Sequence, residues 1–383
     1  MIATVCHSLA RRAANFSRRV ARKLVVLSGA SWVSSLFWYQ IQLRKGLFEG
    51  EGHAWLTEAR NAHAEVVDSV SEHLQGLKIP VRGLLNKGLP LSVQVESRFD
   101  SIVRGSTSQV IFASRRLAMR NSKVLVTTDW ADGYVVLGTA HLGRDNTLCV
   151  VHNTERFFDI AWAMQRARNS SGVVFAAPQV KFRGFQHLPL VKKPLGAVGR
   201  VSKEESNSNS PSKFLVVGLT LVNEDILAGL FRALDEVPSA HLTIVGRRDL
   251  LSRVDRTTPS NVAFLGLESE VNDAELEKLA VRADFLLFPK DPSHYLQRWS
   301  GSVALSLSFG IPLVAPRPLL TAWALSEASG VSFDYPDFSA ALRAAMAIPP
   351  PRREQMREAL LAEASGRYIE TDRILKTWFV GIQ

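Results

Sequence analysis

Cysteine is nearly absent from this 383-residue chain. Cys6 and Cys149 are too few for a disulfide framework, a four-cysteine zinc site or a CxxC redox pair, and a reducing compartment suits them. The sequence also lacks GxxxxGK[ST], HExxH and GxSxG, and Gly50-Glu51-Gly52 misses the third glycine of a dinucleotide fingerprint. ATPase and hydride-transfer chemistry therefore lose support. RNP, zinc-finger and leucine-zipper patterns are missing, and no basic run alternates with aromatics, so no nucleic-acid partner is expected. With 46% hydrophobic and 21% charged residues the chain is globular, and its length suits two domains at about 150 residues each.

Acidic residues are scarce in one place. Residues 1–48 hold none, while Arg11, Arg12, Arg18, Arg19, Arg22 and Lys23 cluster beside Leu9, Phe16 and Val20 in a membrane-surface pattern. Residues 1–200 carry 27 Lys+Arg against 13 Asp+Glu, and residues 201–383 carry 19 against 23. A basic first half meets anionic lipid or an acidic substrate by long-range attraction. Leu24–Leu43 is free of charge over 20 residues but diluted by Ser28, Ser31, Ser34, Ser35, Gln40 and Gln42. It reads as a strand Lys23–Leu27 and a helix through Val33, Phe37 and Ile41, with a signal anchor as the alternative. The expected location is cytoplasmic and peripheral at the membrane.

Strand and helix patterns then alternate. The first half shows a helical pattern around Ala59–Leu74, an extended Leu91–Val95, a helix Thr107–Met119 and strands Lys123–Thr128, Thr147–His152 and Gly172–Ala176, with a helical pattern Asp159–Arg166 between the last two. Ser202–Ser212 has no apolar residue and reads as a linker. Beyond it lie strands Phe214–Gly218, Leu242–Gly246, Val262–Gly266, Phe285–Pro289, Pro312–Ala315 and Val331–Phe333. Helices Asp225–Leu234, Asp273–Ala283, Ser302–Phe309 and Phe338–Ala347 separate them, and a terminal helix from Arg352 to about Trp378 is long enough to return to the first domain. The expected architecture is α/β, two Rossmann-like doubly wound domains facing a central cleft. Its segments are a basic stretch 1–22, an acceptor-side domain 23–200, a linker 201–212, a donor-binding domain 213–350 and a helix 351–383.

Loops at strand ends must carry the chemistry of such a cleft. Arg298-Trp299-Ser300-Gly301-Ser302 stands directly before a helix, where small residues let backbone N–H groups point at a phosphate. Arg247, Lys290 and Arg298 are cations on strand-end loops that answer phosphate charge. Asp129, Asp132 and His152 end first-domain strands and are candidates for a general base, though Asp is equally common in turns.

The runs NVAFLG from Asn261, ADFLLFP from Ala283 and SGSVALSLSFGIPLVAP from Ser300 resemble the donor-binding domain of GT-B glycosyltransferases, closest to family 4. Gly52-His53, Thr128–Tyr134 and Val151-His152-Asn153 resemble the family's acceptor domain more faintly. The resemblance implies Gly266 and Leu267 against the nucleotide base and Ser300, Gly301 and Ser302 on the diphosphate. It also implies a metal-independent transfer with no cofactor besides the nucleotide-sugar substrate. The implied partners are that donor and a sugar or lipid-linked acceptor, in polysaccharide or glycolipid synthesis, to which the basic N-terminal segment adds an anionic membrane surface. Two departures stand out. Gln297 and Leu305 occupy the places of the two glutamates usual in retaining members, and Leu219–Asn223 replaces the Arg and Lys that usually follow the first donor strand. A catalytically silent scaffold subunit and a sugar-nucleotide epimerase are the competing readings. Carboxylates crowded beside the phosphate helix would favour the epimerase.

Overall fold

The computed structural model describes residues 29–48, 52–61, 64–120, 122–128, 146–152, 172–176, 186–194, 212–218, 224–247, 258–267, 273–296 and 298–381. The strand Lys23–Leu27, the basic segment 1–22, the helical pattern Asp159–Arg166 and both Asp129 and Asp132 lie outside them.

Helix α1 (Gly29–Arg44) precedes the first sheet. That sheet comprises β1 (Ala54–Glu58), β2 (Val81–Asn86), β3 (Ser101–Gly105), β4 (Lys123–Val126), β5 (Thr147–Val151) and β6 (Val173–Phe175). All its pairings are parallel and the order is β3-β2-β1-β4-β5-β6. Helices α2 (Ala64–Gly76), α3 (Val93–Glu96) and α4 (Thr107–Met119) make the crossovers among its first four strands. The second sheet repeats the plan with β7 (Ser212–Val217), β8 (Ala240–Arg247), β9 (Val262–Leu267), β10 (Phe285–Leu287), β11 (Leu313–Pro316) and β12 (Gly330–Phe333), in the order β12-β11-β10-β7-β8-β9. Its helices are α5 (Glu224–Glu236), α6 (Asp273–Arg282), α7 (Gly301–Phe309), α8 (Arg317–Ala322) and α9 (Phe338–Met346), and α10 (Pro350–Val380) closes the chain. Both sheets reverse direction between their first and fourth strands, at β1/β4 and β7/β10, and such switch points are where open α/β sheets hold ligands.

The second sheet matches its sequence pattern because central parallel strands are apolar on both faces. Phe214, Leu215, Val216, Phe285, Leu286 and Leu287 are all buried. Gly310 ends α7 at φ 63°, a left-handed cap that a Cβ would drive to 2.8 Å from the Leu361 side chain. Ser212, read as the last linker residue, opens β7.

The first sheet corrects the sequence reading in three places. Leu91–Val95 is no strand, because Ser92 caps the short helix α3 by accepting from the Val95 N–H. The helical pattern from Ala59 begins only at Ala64, since AWLTE before it is a fully buried strand. Helix α1 exists, but Val33 and Phe37 are 69% and 70% exposed, while Ser35 and Tyr39 face inward.

Helix α10 joins the halves. Arg357 donates to the Ala283 carbonyl and Arg367 to the Trp323 carbonyl in the second domain. Farther along, Asp372 meets His73 Nδ1 at 2.7 Å, and the Trp378 carbonyl accepts from Lys123 Nζ at 2.8 Å. His73 is buried, with Nε2 on the Val191 carbonyl at 2.8 Å and its ring stacked on Tyr368. Among the described residues no helix is long and apolar enough to cross a membrane.

Candidate donor site at the second switch point

Helices in parallel α/β units start at the carboxyl ends of strands, so α7 and α2 both aim their N-termini into the space between the sheets. Ser300 stands at the N-cap of α7 in extended conformation and makes no capping side-chain bond. Ser302 Oγ is also diverted, donating to the Val217 carbonyl at 3.0 Å at the end of β7. Neither serine therefore caps the first N–H groups of α7, which suits them to an anion.

Gly218 follows β7 with φ 78°, and a Cβ placed there would lie 3.7 Å from Lys290 Nζ and 3.8 Å from Ser302 Oγ. Lys290, delivered by the loop after β10, therefore reaches the end of β7, the place left without cations by Leu219–Asn223. Its ammonium is buried over the rings of Phe288 and Tyr295, at 5.5 and 5.2 Å. Desolvation lowers its pKa from the usual 10.5 to about 8, with Glu65 acting the other way.

A cavity of about 570 Å³ opens beside Lys290, walled by Asp225, Arg232, Tyr295, Arg298, Tyr335 and Phe338 among others. That volume is in the range that holds small ligands and cofactors. Burial raises the Tyr295 hydroxyl against the opposing field of Arg298, and burial together with Asp291 raises Tyr335. The loop before α7 is tied to the first domain by Trp299, whose backbone N–H donates to the His152 carbonyl at 2.7 Å and whose Nε1 donates to the Leu190 carbonyl at 2.9 Å.

The structure thus brings together Lys290, Arg298, Ser300, Gly301 and Ser302. His152 is buried at the end of β5 and reaches this group through its backbone. Gly266 and Leu267 end β9, in register with Gly246 and Arg247 of β8. These positions lie on the far side of β7 from Lys290.

Sequence reasoning missed Glu65. It occupies the first turn of α2, and its Cγ lies 3.8 Å from where a Cβ on Gly301 would stand. The residue keeps an exposed surface, yet protein atoms crowd it enough that desolvation raises its carboxyl pKa, with Asp68 raising it further and Lys192 and Lys290 opposing. A carboxylate in the first turn of a helix is ordinarily only a favourable dipole partner, which is why the sequence alone did not single it out. Glu58, at the end of β1, is fully buried. It accepts from the Arg60 N–H and from Thr127 Oγ1, both at 2.9 Å, and burial raises its pKa to about 8.

No protein-family model and no curated protein matches this chain. Solved structures do. A glycosyltransferase from Rickettsia africae ESF-5 superposes with TM-score 0.59 at 10% identity, covering 87% of this chain and 100% of that one. HepE from Anabaena, solved in complex with UDP and glucose, gives 0.57 at 12%, covering 85% and 98%. The fold is GT-B. At such identities these likenesses speak for the fold alone. A mutant of the O-GlcNAc transferase from Thermobaculum terrenum gives 0.52 at 14% over 85% of this chain, which spans 66% of that protein's length and 58% of S. aureus TarM. In this GT-B chain the second-domain switch point brings Lys290 and Arg298 to the start of α7, and the first-domain helix α2 brings Glu65 beside Gly301.

Proposed function

We propose that this chain is a nucleotide-sugar-dependent glycosyltransferase. One observation carries the reading: Lys290 is desolvated at the β7/β10 switch point, against Gly218 and beside the start of α7, which the Ser300 side chain does not cap. That arrangement suits a diphosphate, whose oxygens would accept from the N–H groups at Gly301 and Ser302 while Lys290 and Arg298 neutralise the departing charge. These are the cations that the family 4 likeness lacks after its first donor strand, supplied from other loops. Gly266 and Leu267 are assigned to the nucleotide's base end, and Arg247, expected at the phosphates with Lys290 and Arg298, instead ends β8 in register with Leu267, across β7 from Lys290.

Transfer breaks the bond between the sugar's anomeric carbon and the diphosphate oxygen and forms one to an acceptor hydroxyl, whose proton passes to a first-domain base. Asp129, Asp132 and His152 are the candidates from sequence, and Glu65 joins them because it faces the phosphate loop from the acceptor side with a pKa raised above the ordinary carboxylate value. The acceptor is a sugar or lipid-linked sugar at an anionic membrane face, in polysaccharide or glycolipid synthesis. The test is release of nucleoside diphosphate from UDP-, GDP-, ADP- and dTDP-sugars, with and without membrane extract as acceptor source. Acceptor-stimulated release supports transfer, and nucleotide binding without turnover marks a scaffold. The epimerase reading has one observation in its favour, the carboxylates Glu65, Asp225 and Asp291 around this site. Solvent deuterium in a recovered sugar nucleotide, without transfer, would establish it.

A further inference from the structure

Helix α1 fastens one face to the first domain and leaves on the other four exposed apolar side chains interspersed with Gln40 and Arg44. Inward, Tyr39 is buried, stacked on Phe48 with centroids 4.8 Å apart and edge-on to Phe112 of α4 at 5.9 Å. Outward, Val33, Leu36, Phe37 and Ile41 are 69%, 40%, 70% and 38% exposed, at the three- and four-residue spacing of a single stripe. Scattered exposed apolar residues are ordinary, but four in one stripe mark a contact surface. Met119, at the end of the packed neighbour α4, is exposed as well.

On the described residues of α1 and α4 the charge beside the stripe has one sign. Arg44 ends α1 and Lys45 follows it, and Arg115, Arg116 and Arg120 lie on or just after α4, all on the protein's exterior. Arg120 sits 5.8 Å above the Tyr39 ring, which fixes the arginines of α4 beside α1. Neither 29–48 nor 101–128 contains an acid.

We propose that the outer face of α1 inserts into the headgroup region of an anionic bilayer. Among the described residues no helix is long and apolar enough to cross a membrane, and an exposed apolar stripe flanked by cations suits lying along the interface. The stripe enters the interface while the five cations reach lipid phosphates. Charge argues against two other occupants. A second copy meeting this face symmetrically brings the same cations against themselves, and residues 1–28 carry six more cations and no acid. The inference deepens the membrane part of the proposed function and rests on it only for the class of partner.

The test is co-sedimentation of the full chain with vesicles of POPC alone and of POPC with POPG, no nucleotide present. Phe37→Glu and Val33→Asp alter exposed positions, and Ile369→Glu, at an exposed apolar site on α10, is the control. Wild type and the control are expected to bind POPG vesicles, and either α1 variant to bind about tenfold less or worse. Binding by Phe37→Glu equal to wild type would overturn the proposal, as would equal binding to POPC alone. An α1 variant that keeps vesicle binding but changes molar mass by light scattering would assign the face to a second copy. A wild type that binds vesicles in this pattern but binds no nucleotide would strike the donor reading and leave this one standing.

Discussion

Replacing Lys290 by Met separates the cost of the donor site from its use. Lowering the ammonium pKa from 10.5 to about 8 means the folded protein holds that charge at a penalty near 3 kcal/mol at pH 7, from about 1.4 kcal/mol per pKa unit. Contacts with the rings of Phe288 and Tyr295 offset about 0.5–1 kcal/mol each and would be lost with the charge. A Met of similar length fills the same space, so the unliganded variant is expected to gain about 1–2 kcal/mol. At about 2–4 °C per kcal/mol for a domain of this size, its melting temperature rises by about 2–8 °C. Diphosphate binding moves the other way. Losing a charge-assisted contact costs about 1.5–3 kcal/mol, or about 10- to 150-fold in Kd. The sign of the pH dependence follows. Between about 8 and 10.5 the unfolded chain binds more protons than the folded one, so wild-type stability climbs with pH there while diphosphate affinity falls. The variant should lose both trends. Melting curves and calorimetric titration of the best-binding nucleoside diphosphate, at pH 7 and 9, read all of this. A variant that melts lower than wild type and binds the nucleotide equally well would mean that Lys290 is neither held at a cost nor in contact with the diphosphate.

Gly301→Val is expected to fold, because a Cβ there meets Glu65 and Trp299 only at 3.8 Å, but its branches would screen the helix N-terminus and cut nucleotide affinity at least about tenfold. A folded variant with unchanged Kd would remove the phosphate loop from the site. Glu65→Gln should lower turnover about 10²-fold with donor affinity within about twofold and flatten the acid limb of the rate profile. A normal profile would return the base to His152, Asp129 or Asp132. Glu58 binds a proton in the folded state up to about pH 8 and in the unfolded state only to about 4.5, so stability should fall as pH rises between those values. Glu58→Gln should abolish that slope in chemical denaturation, and a slope that persists would locate it elsewhere.

The second domain was legible because its central strands are buried on both faces and read as unbroken apolar runs, as in Phe285-Leu286-Leu287 between helices with clear stripes. The first sheet was obscured where polar groups are buried. Thr57 and Glu58 end β1 with hydrogen bonds to Leu125 and Thr127 that no local pattern foretells, and β2 carries Arg82 and Asn86. In the site, Ser300, Gly301 and Ser302 announced themselves by local turn chemistry, and Lys290 as a cation after a strand. What could not be read was that Lys290 reaches across to Gly218, or that Glu65, 236 positions before Gly301, would face it. Such juxtapositions belong to the crossover order and to how Trp299 and α10 hold the two sheets together.

Isothermal titration of wild type and Gly301→Val with UDP, GDP, ADP and dTDP tests whether the β7/β10 switch point takes the diphosphate of a nucleotide sugar. One of these nucleotides is expected to bind wild type at a 1:1 ratio, and the variant to lose it. Wild-type protein that binds none of the four, or a variant that binds as tightly as wild type, would contradict a diphosphate site there.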